Sequence, residues 1–233
     1  MTIKAILTDI EGTTTDIRFV HDVLFPYARQ ALPEYVSDHW DDAMVQEIMS
    51  QARAEISQPD ADKDTLVQAF LGWIDEDKKV TALKSLQGLI WVEGYEKGDF
   101  TGHLYPDAYQ HLMLWDQQKV ALYIFSSGSV KAQKLLFGYS DYGDLTPVFS
   151  GYFDTTTGHK REGVSYQKIA SAMQYPPENI LFLSDIIEEL DAAKSAGMQT
   201  CLLARDQLLD PKEHPMARSF DEVAILYPTT GEK

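Results

Sequence analysis

The sequence predicts an α/β fold: a doubly wound parallel sheet with an inserted helical unit. Short apolar runs recur along the chain, separated by stretches of helical periodicity. The first run ends on an acid, Asp9, as a buried parallel strand does when it delivers a reactive side chain to the C-terminal edge of its sheet. After that run, residues 17–100 show apolar positions at roughly helical intervals and no clear strand.

Residues 3–8, Ile-Lys-Ala-Ile-Leu-Thr, form the first expected strand. Similar runs lie at 120–125 (Val-Ala-Leu-Tyr-Ile-Phe), 180–183 (Ile-Leu-Phe-Leu) and 200–204. In the helical stretch, Phe19, Val23, Phe25 and Tyr27 are followed by Met44, Ile48 and Met49, then by Leu66, Phe70, Trp73 and Ile74. Pro33, the Gln58-Pro59-Asp60 segment and the glycines of 94–98 are expected to divide it into about four helices. Further helices are expected over 130–137 and 164–173, and a frayed tail over 227–233. The expected organisation is a core of residues 1–16 and 101–233 with a cap of residues 17–100.

A chain of 233 residues is long enough for one buried core and a lid, but hardly for two large domains. With 44% hydrophobic and 24% charged residues, disorder over most of the length is excluded. Twenty Lys+Arg against 36 Asp+Glu give a net charge of -16, which repels nucleic acid and anionic lipid. A small phosphorylated ligand remains compatible, because a few local cations, amides and a metal decide its binding. The single cysteine, Cys201, excludes an intramolecular disulfide and reads as an inert core thiol. No basic leader precedes a long apolar stretch, and nowhere do about 18 apolar residues run together. A soluble cytoplasmic protein, monomeric and without membrane partners, is expected.

Four segments carry chemistry. In Asp9-Ile10-Glu11-Gly12-Thr13 two acids lie two residues apart just past a strand, so both can face one site. An ionised Asp9 can attack phosphorus, while a Glu11 whose pKa is raised by its neighbour can protonate a leaving oxygen and later activate water. Gly12 permits a tight turn, and the Thr13 hydroxyl is expected to orient the acids. Taken alone, the segment reads equally well as an acidic turn. Phe125-Ser126-Ser127-Gly128-Ser129, at a strand end before a helix, offers hydroxyls and amides to a phosphate, although a serine N-cap is the plainer reading. Lys160, in Gly158-His159-Lys160-Arg161, is either a partner for the phosphoryl group and Asp9 or a solvated loop lysine, with His159 peripheral. Asp185, after Leu183-Ser184, is a magnesium address once brought beside Asp9. Glu189 can support it from one helical turn away, whereas Glu188 and Asp191 read as a solvated helix face.

The order of these pieces, acidic pair, serine strand end, lysine and acidic strand end, resembles the four motifs of haloacid dehalogenase-type phosphotransferases, with a helical cap between the first and second. A closer resemblance, to the enolase-phosphatase group of methionine salvage, runs along almost the whole chain. It rests on residues 8–14 through Phe25-Pro26-Tyr27, on Gly102-His103-Leu104-Tyr105-Pro106-Asp107, on the block 126–138 and on Leu183-Ser184-Asp185. Glu11, where most superfamily phosphatases carry Asp, is typical of that group. The resemblance implies a haloacid dehalogenase-like core with a cap, one Mg²⁺ per subunit and a phosphorylated diketone substrate, 2,3-diketo-5-methylthiopentyl-1-phosphate. That substrate would be enolised and then dephosphorylated to acireductone. The resemblance further implies that Asp9 is nucleophile and metal ligand, Glu11 general acid/base and ligand through its backbone carbonyl, and Asp185 a metal ligand. Ser126, Ser127 and Lys160 would bind the phosphate.

The core motifs by themselves also suit a phosphatase for a sugar phosphate, phosphoglycolate or nucleotide. A binding module without catalysis is the reading from another class, and the competent residues at all four motif positions argue against it.

Overall fold

The structure is a computed structural model and describes residues 2–205 and 210–229. Its two compact units are Met1–Ile17 with Thr101–Lys233, and Arg18–Phe100.

The first unit is built on a parallel sheet that has, among the described residues, six strands: β1 (Ala5–Thr8), β2 (Ala121–Phe125), β3 (Gly151–Phe153), β4 (Ile180–Ser184), β5 (Gln199–Leu203) and β6 (Met216–Ala217). Their order is β3-β2-β1-β4-β5-β6. Every residue of β1 and β4 is buried, which is why both read as unbroken apolar runs. The register aligns Ala5 with Ala121 on one side and with Ile180 on the other. After β1 the chain builds outward through β2 and β3, then returns to β4 on the opposite side. The direction of winding therefore reverses between β1 and β4, where doubly wound sheets open a crevice at their C-terminal edge. Helices Pro106–Gln117, Val130–Gly138, Gly163–Met173, Ile187–Ser195 and Phe220–Leu226 complete this unit. Between sheet and helices lies a buried cluster including Leu7, Phe125, Tyr166, Phe182 and Leu202, in which the Tyr166 ring stands edge-on to Phe125 at 5.5 Å and to Phe182 at 5.0 Å.

Two strands lie outside the sequence expectations. β3 and β6 are the outer strands of the sheet, each paired on one side only, and at three and two residues they are too short to show a periodicity.

The second unit contains helices Phe25–Asp38, Ala43–Glu55, Lys63–Asp75 and Thr81–Lys97, preceded by a π turn at Val20–Leu24. Their apolar faces share a cluster that includes Leu32, Val36, Met49, Leu66, Phe70 and Leu86, all fully buried. One expected break, at Pro33, is corrected, and the break expected over 94–98 falls at Gly98. Pro33 lies inside the first of these helices, which continues because Leu32 and Val36 on either side of it are buried in the cluster. Gly94 lies inside the last, where a Cβ would come within 2.6 Å of Phe100 and 2.7 Å of Tyr27, so the glycine serves close packing; Gly98, at φ +74°, ends the helix.

The tail expectation also changes. The Tyr227 hydroxyl donates to the Thr200 carbonyl at 2.9 Å, and residues 230–233 lie outside the described residues. No helix among the described residues is long and apolar enough to cross a membrane.

Candidate active site

The C-terminal ends of β1, β2 and β4 and the loop after β3 gather the residues singled out in the sequence. Asp9 follows β1 and is 3% exposed, and its N–H donates to the Leu183 carbonyl at 2.9 Å, tying the end of β1 to the end of β4. The chain then turns sharply: the N–H groups of Thr13, Thr14 and Thr15 converge on the Ile10 carbonyl, and Gly12 N–H donates to Thr15 O. Glycine is required at position 12 for two reasons. Its φ is +75°, and a Cβ there would lie 2.3 Å from Asp185 Oδ2. The turn on β1 and the acid after β4 are thus pressed together. The expected role of the Thr13 hydroxyl is not realised, since its Oγ1 is buried without a hydrogen-bond partner; the Thr14 hydroxyl instead donates to the carbonyls of Asp9 and Ile10.

Ser126 follows β2 and is fully buried. Its hydroxyl donates to Glu11 Oε2 at 3.2 Å while its oxygen accepts the Gly128 N–H at 3.1 Å. The N-cap of helix Val130–Gly138 is a different serine, Ser129, whose Oγ accepts from Ala132 N–H. The N-cap reading of the serine segment therefore holds at Ser129, while Ser126 faces Glu11 instead. Ser127 lies exposed on the loop between them. Gln133, which the sequence reading missed, is 2% exposed and donates to the carbonyls of Gly128 and Phe153, pinning the serine loop to β3.

Lys160 is no solvated loop lysine. It is 6% exposed, and its Nζ donates to Asp9 Oδ1 and Glu189 Oε2, both at 2.7 Å. Its carbonyl accepts from the Tyr166 hydroxyl at 2.7 Å, which fixes the loop from below. Burial alone would lower the Lys160 pKa, but attraction to Asp9 and then to Glu189 outweighs it, and the ammonium is held above its ordinary value. Glu189, from helix Ile187–Ser195, also accepts from Ser184 Oγ at 3.0 Å. His159 makes only a local contact, with the Arg161 N–H on its Nδ1, and its carbonyl accepts from Ser165.

Four carboxyl groups, Asp9, Glu11, Asp185 and Glu189, thus gather about one ammonium, and three of them are raised above their ordinary values. Glu11 is raised by burial and then by Asp9. Burial, with Asp9 second, pushes Asp185 up to about 7 and Glu189 up to about 6. Asp185 Oδ1 is buried with no hydrogen-bond partner, an arrangement that needs explanation in a folded protein. A hard divalent cation would satisfy both features, since its charge offsets the crowded carboxylates and an orphaned oxygen is a ready ligand. Among the described residues no group of three or more His, Cys, Asp and Glu forms a metal cluster. That still suits Mg²⁺, which takes one or two carboxylates and completes its shell with waters, backbone carbonyls and phosphate oxygens. It does not suit a metal that requires an all-protein cage.

Chemically, the assembly offers a buried carboxylate beside an ammonium, a second carboxyl group that keeps its proton to higher pH, and a serine loop at a helix N-terminus.

A family model described as haloacid dehalogenase-like hydrolase matches residues 3–197. An enolase-phosphatase E1 from Pectobacterium atrosepticum is 56% identical over 223 residues, covering 96% of this chain and 97% of that protein. The enzyme of the same name from Serratia proteamaculans is 55% identical over the same shares. Among solved structures, the UTR4 protein of Saccharomyces cerevisiae superposes with a TM-score of 0.81 at 36% identity, covering 94% of this chain and 99% of that one. The putative hydrolase YfnB from Bacillus subtilis, bound to magnesium, shares the fold, with a TM-score of 0.62 at 18% identity over 98% of this chain and 100% of that one.

Proposed function

From the premise that the chain belongs to the haloacid dehalogenase-like hydrolases and, within them, to the enolase-phosphatases, we propose that it converts 2,3-diketo-5-methylthiopentyl-1-phosphate to acireductone and phosphate, with Asp9 as the nucleophile. Full-length identity to enolase-phosphatases of two organisms supports the substrate. The 2.7 Å pair of Lys160 with Asp9, beside a Glu11 that resists ionisation, supports the assignment of roles.

The substrate is first enolised and the enol phosphate is then cleaved. In the cleavage, an Asp9 carboxylate oxygen attacks phosphorus, the bond from phosphorus to the substrate oxygen breaks, and the Glu11 carboxyl gives that oxygen its proton. The phosphoryl group now resides on Asp9. Glu11, left as the carboxylate, takes a proton from water, whose oxygen attacks phosphorus and releases phosphate and Asp9. Before substrate binds, Ser126 donates its one hydroxyl proton to Glu11 and so orients it; in the complex that proton turns to a phosphoryl oxygen. Ser126, Ser127 and Lys160 bind the phosphoryl oxygens, with Lys160 held in reach by Glu189. Asp9, Asp185 and the Glu11 backbone carbonyl are the residues proposed to hold Mg²⁺. When bound, it supplies Lewis acidity for a developing enolate oxygen and for the phosphoryl charge. Residues 17–100 are proposed as the cap of this site.

The test is to incubate the protein and Mg²⁺ with the diketo phosphate and to follow enol formation and phosphate release separately. Both are expected. Phosphate release from ordinary sugar phosphates at the same rate, with no enol formed from the diketone, would refute the reading.

A further inference from the structure

In the turn that follows Asp9 and Glu11, the N–H groups of residues 12–15 bond within the turn, and two of its carbonyls are held by residues distant in sequence. Thr14 O accepts from Tyr105 N–H at 2.9 Å. Thr13 O accepts two bonds from Arg205, from Nη2 at 2.7 Å and from Nε at 3.1 Å. Arg205 lies two residues past the end of β5, on the same edge of the sheet as the candidate site.

The guanidinium is fixed on every side. Its Nη1 donates to Asp107 Oδ2 at 2.6 Å, and the same oxygen accepts the Phe220 N–H at 2.7 Å. Its carbon lies 4.1 Å from the Tyr105 ring centroid and 5.3 Å from that of Phe220. The side chain is only 11% exposed. Such a planar fork, stacked on its face and bonded along its edges, cannot be replaced by the point charge of a lysine. The Thr13 hydroxyl has no partner and its N–H bonds within the turn, to Ile10 O, so the carbonyl is the group by which residue 13 is held from outside the turn.

We infer that Arg205 is a positioning residue for the reaction: by clamping the Thr13 peptide, two residues from Glu11, it fixes the turn through Gly12 and so sets the aim of the Glu11 carboxyl. The inference rests on the reading of Glu11 as general acid/base. It adds a residue that none of the four sequence motifs contains. A loosened turn leaves Glu11 present but misaligned for both of its proton transfers. The loss should therefore fall on kcat, since misplacement by about an ångström costs on the order of a hundredfold. The phosphate ligands lie on other loops, so KM for the diketo phosphate should change little.

The test compares wild type, Arg205→Lys, Arg205→Gln, Glu11→Gln and the double variant Arg205→Lys/Glu11→Gln, with rates normalised to the folded fraction from thermal melts. Both Arg205 variants are expected to lose roughly ten- to a hundredfold in kcat for phosphate release, with lysine giving no rescue. In the Glu11→Gln background the same Arg205→Lys change is expected to cost almost nothing more, because the two residues act as one unit. Additive losses in the double variant, full rescue by lysine, or a loss accounted for by unfolding would overturn the inference while leaving the catalytic reading intact. Full activity of Glu11→Gln alone would overturn the role of Glu11, and the inference with it.

Discussion

Asp9 is buried and paired with Lys160, so its substitution separates charge from shape. Asp9→Asn keeps the volume and removes the nucleophile, and phosphate release is expected to fall by at least about three orders of magnitude, as for a member of a catalytic unit. Enolisation removes a carbon-bound proton and needs no attack on phosphorus. The variant is therefore expected to retain exchange of the substrate's C1 protons with deuterated water, read by NMR on the same sample; an absence of exchange while Mg²⁺ still binds would show that the steps are not separable. Gly12 offers a second test. Gly12→Ala forces a side chain into a positive-φ position and drives its Cβ against Asp185 Oδ2, where only 2.3 Å is available. Asp185 must move, and the Mg²⁺ dependence of activity is expected to shift upward by at least about tenfold, measured by titration, while the far-ultraviolet circular dichroism stays that of wild type. At this scale the sequence showed the acids, the serine loop and the lysine by type and order. It did not show that Thr14 rather than Thr13 supports the turn with its hydroxyl, because which of adjacent threonines faces inward depends on the turn's dihedral angles.

Strands and helices were legible to the extent that their burial is periodic. β1, β2, β4 and β5 lie in the sheet interior and appear as apolar runs, and the helices after them begin within a residue of the expected positions where these were given. β3 and β6 escaped because an outer strand of two or three residues carries no pattern. Pro33 misled for the opposite reason: a local rule predicts a break, and tertiary burial overrides it. The helical unit has its own buried cluster, distinct from the cluster under the sheet. Leu66→Ala, at a fully buried position in helix Lys63–Asp75, is therefore expected to cost about 2–5 kcal/mol within that cluster. In hydrogen exchange, protection should fall across residues 25–97 and persist in β1 and β4; uniform loss in both units would show a single cooperative core.

For the whole molecule, the crowded carboxylates of the site are the feature on which the proposed Mg²⁺ requirement is tested. Chelation is expected to abolish phosphate release and added Mg²⁺ to restore it, while Asp185→Ala should raise the Mg²⁺ concentration needed; full activity in excess chelator would exclude the metal. Calcium, larger and content with more ligands, is expected to compete for the site and support little turnover. What the sequence determined by itself was the α/β class, the order of the motifs and the enolase-phosphatase resemblance, because strand burial and motif order are written in local residue types and spacings. Tertiary structure alone decided that Lys160 bridges Asp9 and Glu189, that Asp185 presses on Gly12, and that Arg205 grips the Thr13 carbonyl from 192 positions away. Such contacts form between residues far apart in the chain, and no periodicity records them: they exist only once the sheet has set β1 beside β4 and brought the loops at its edge together.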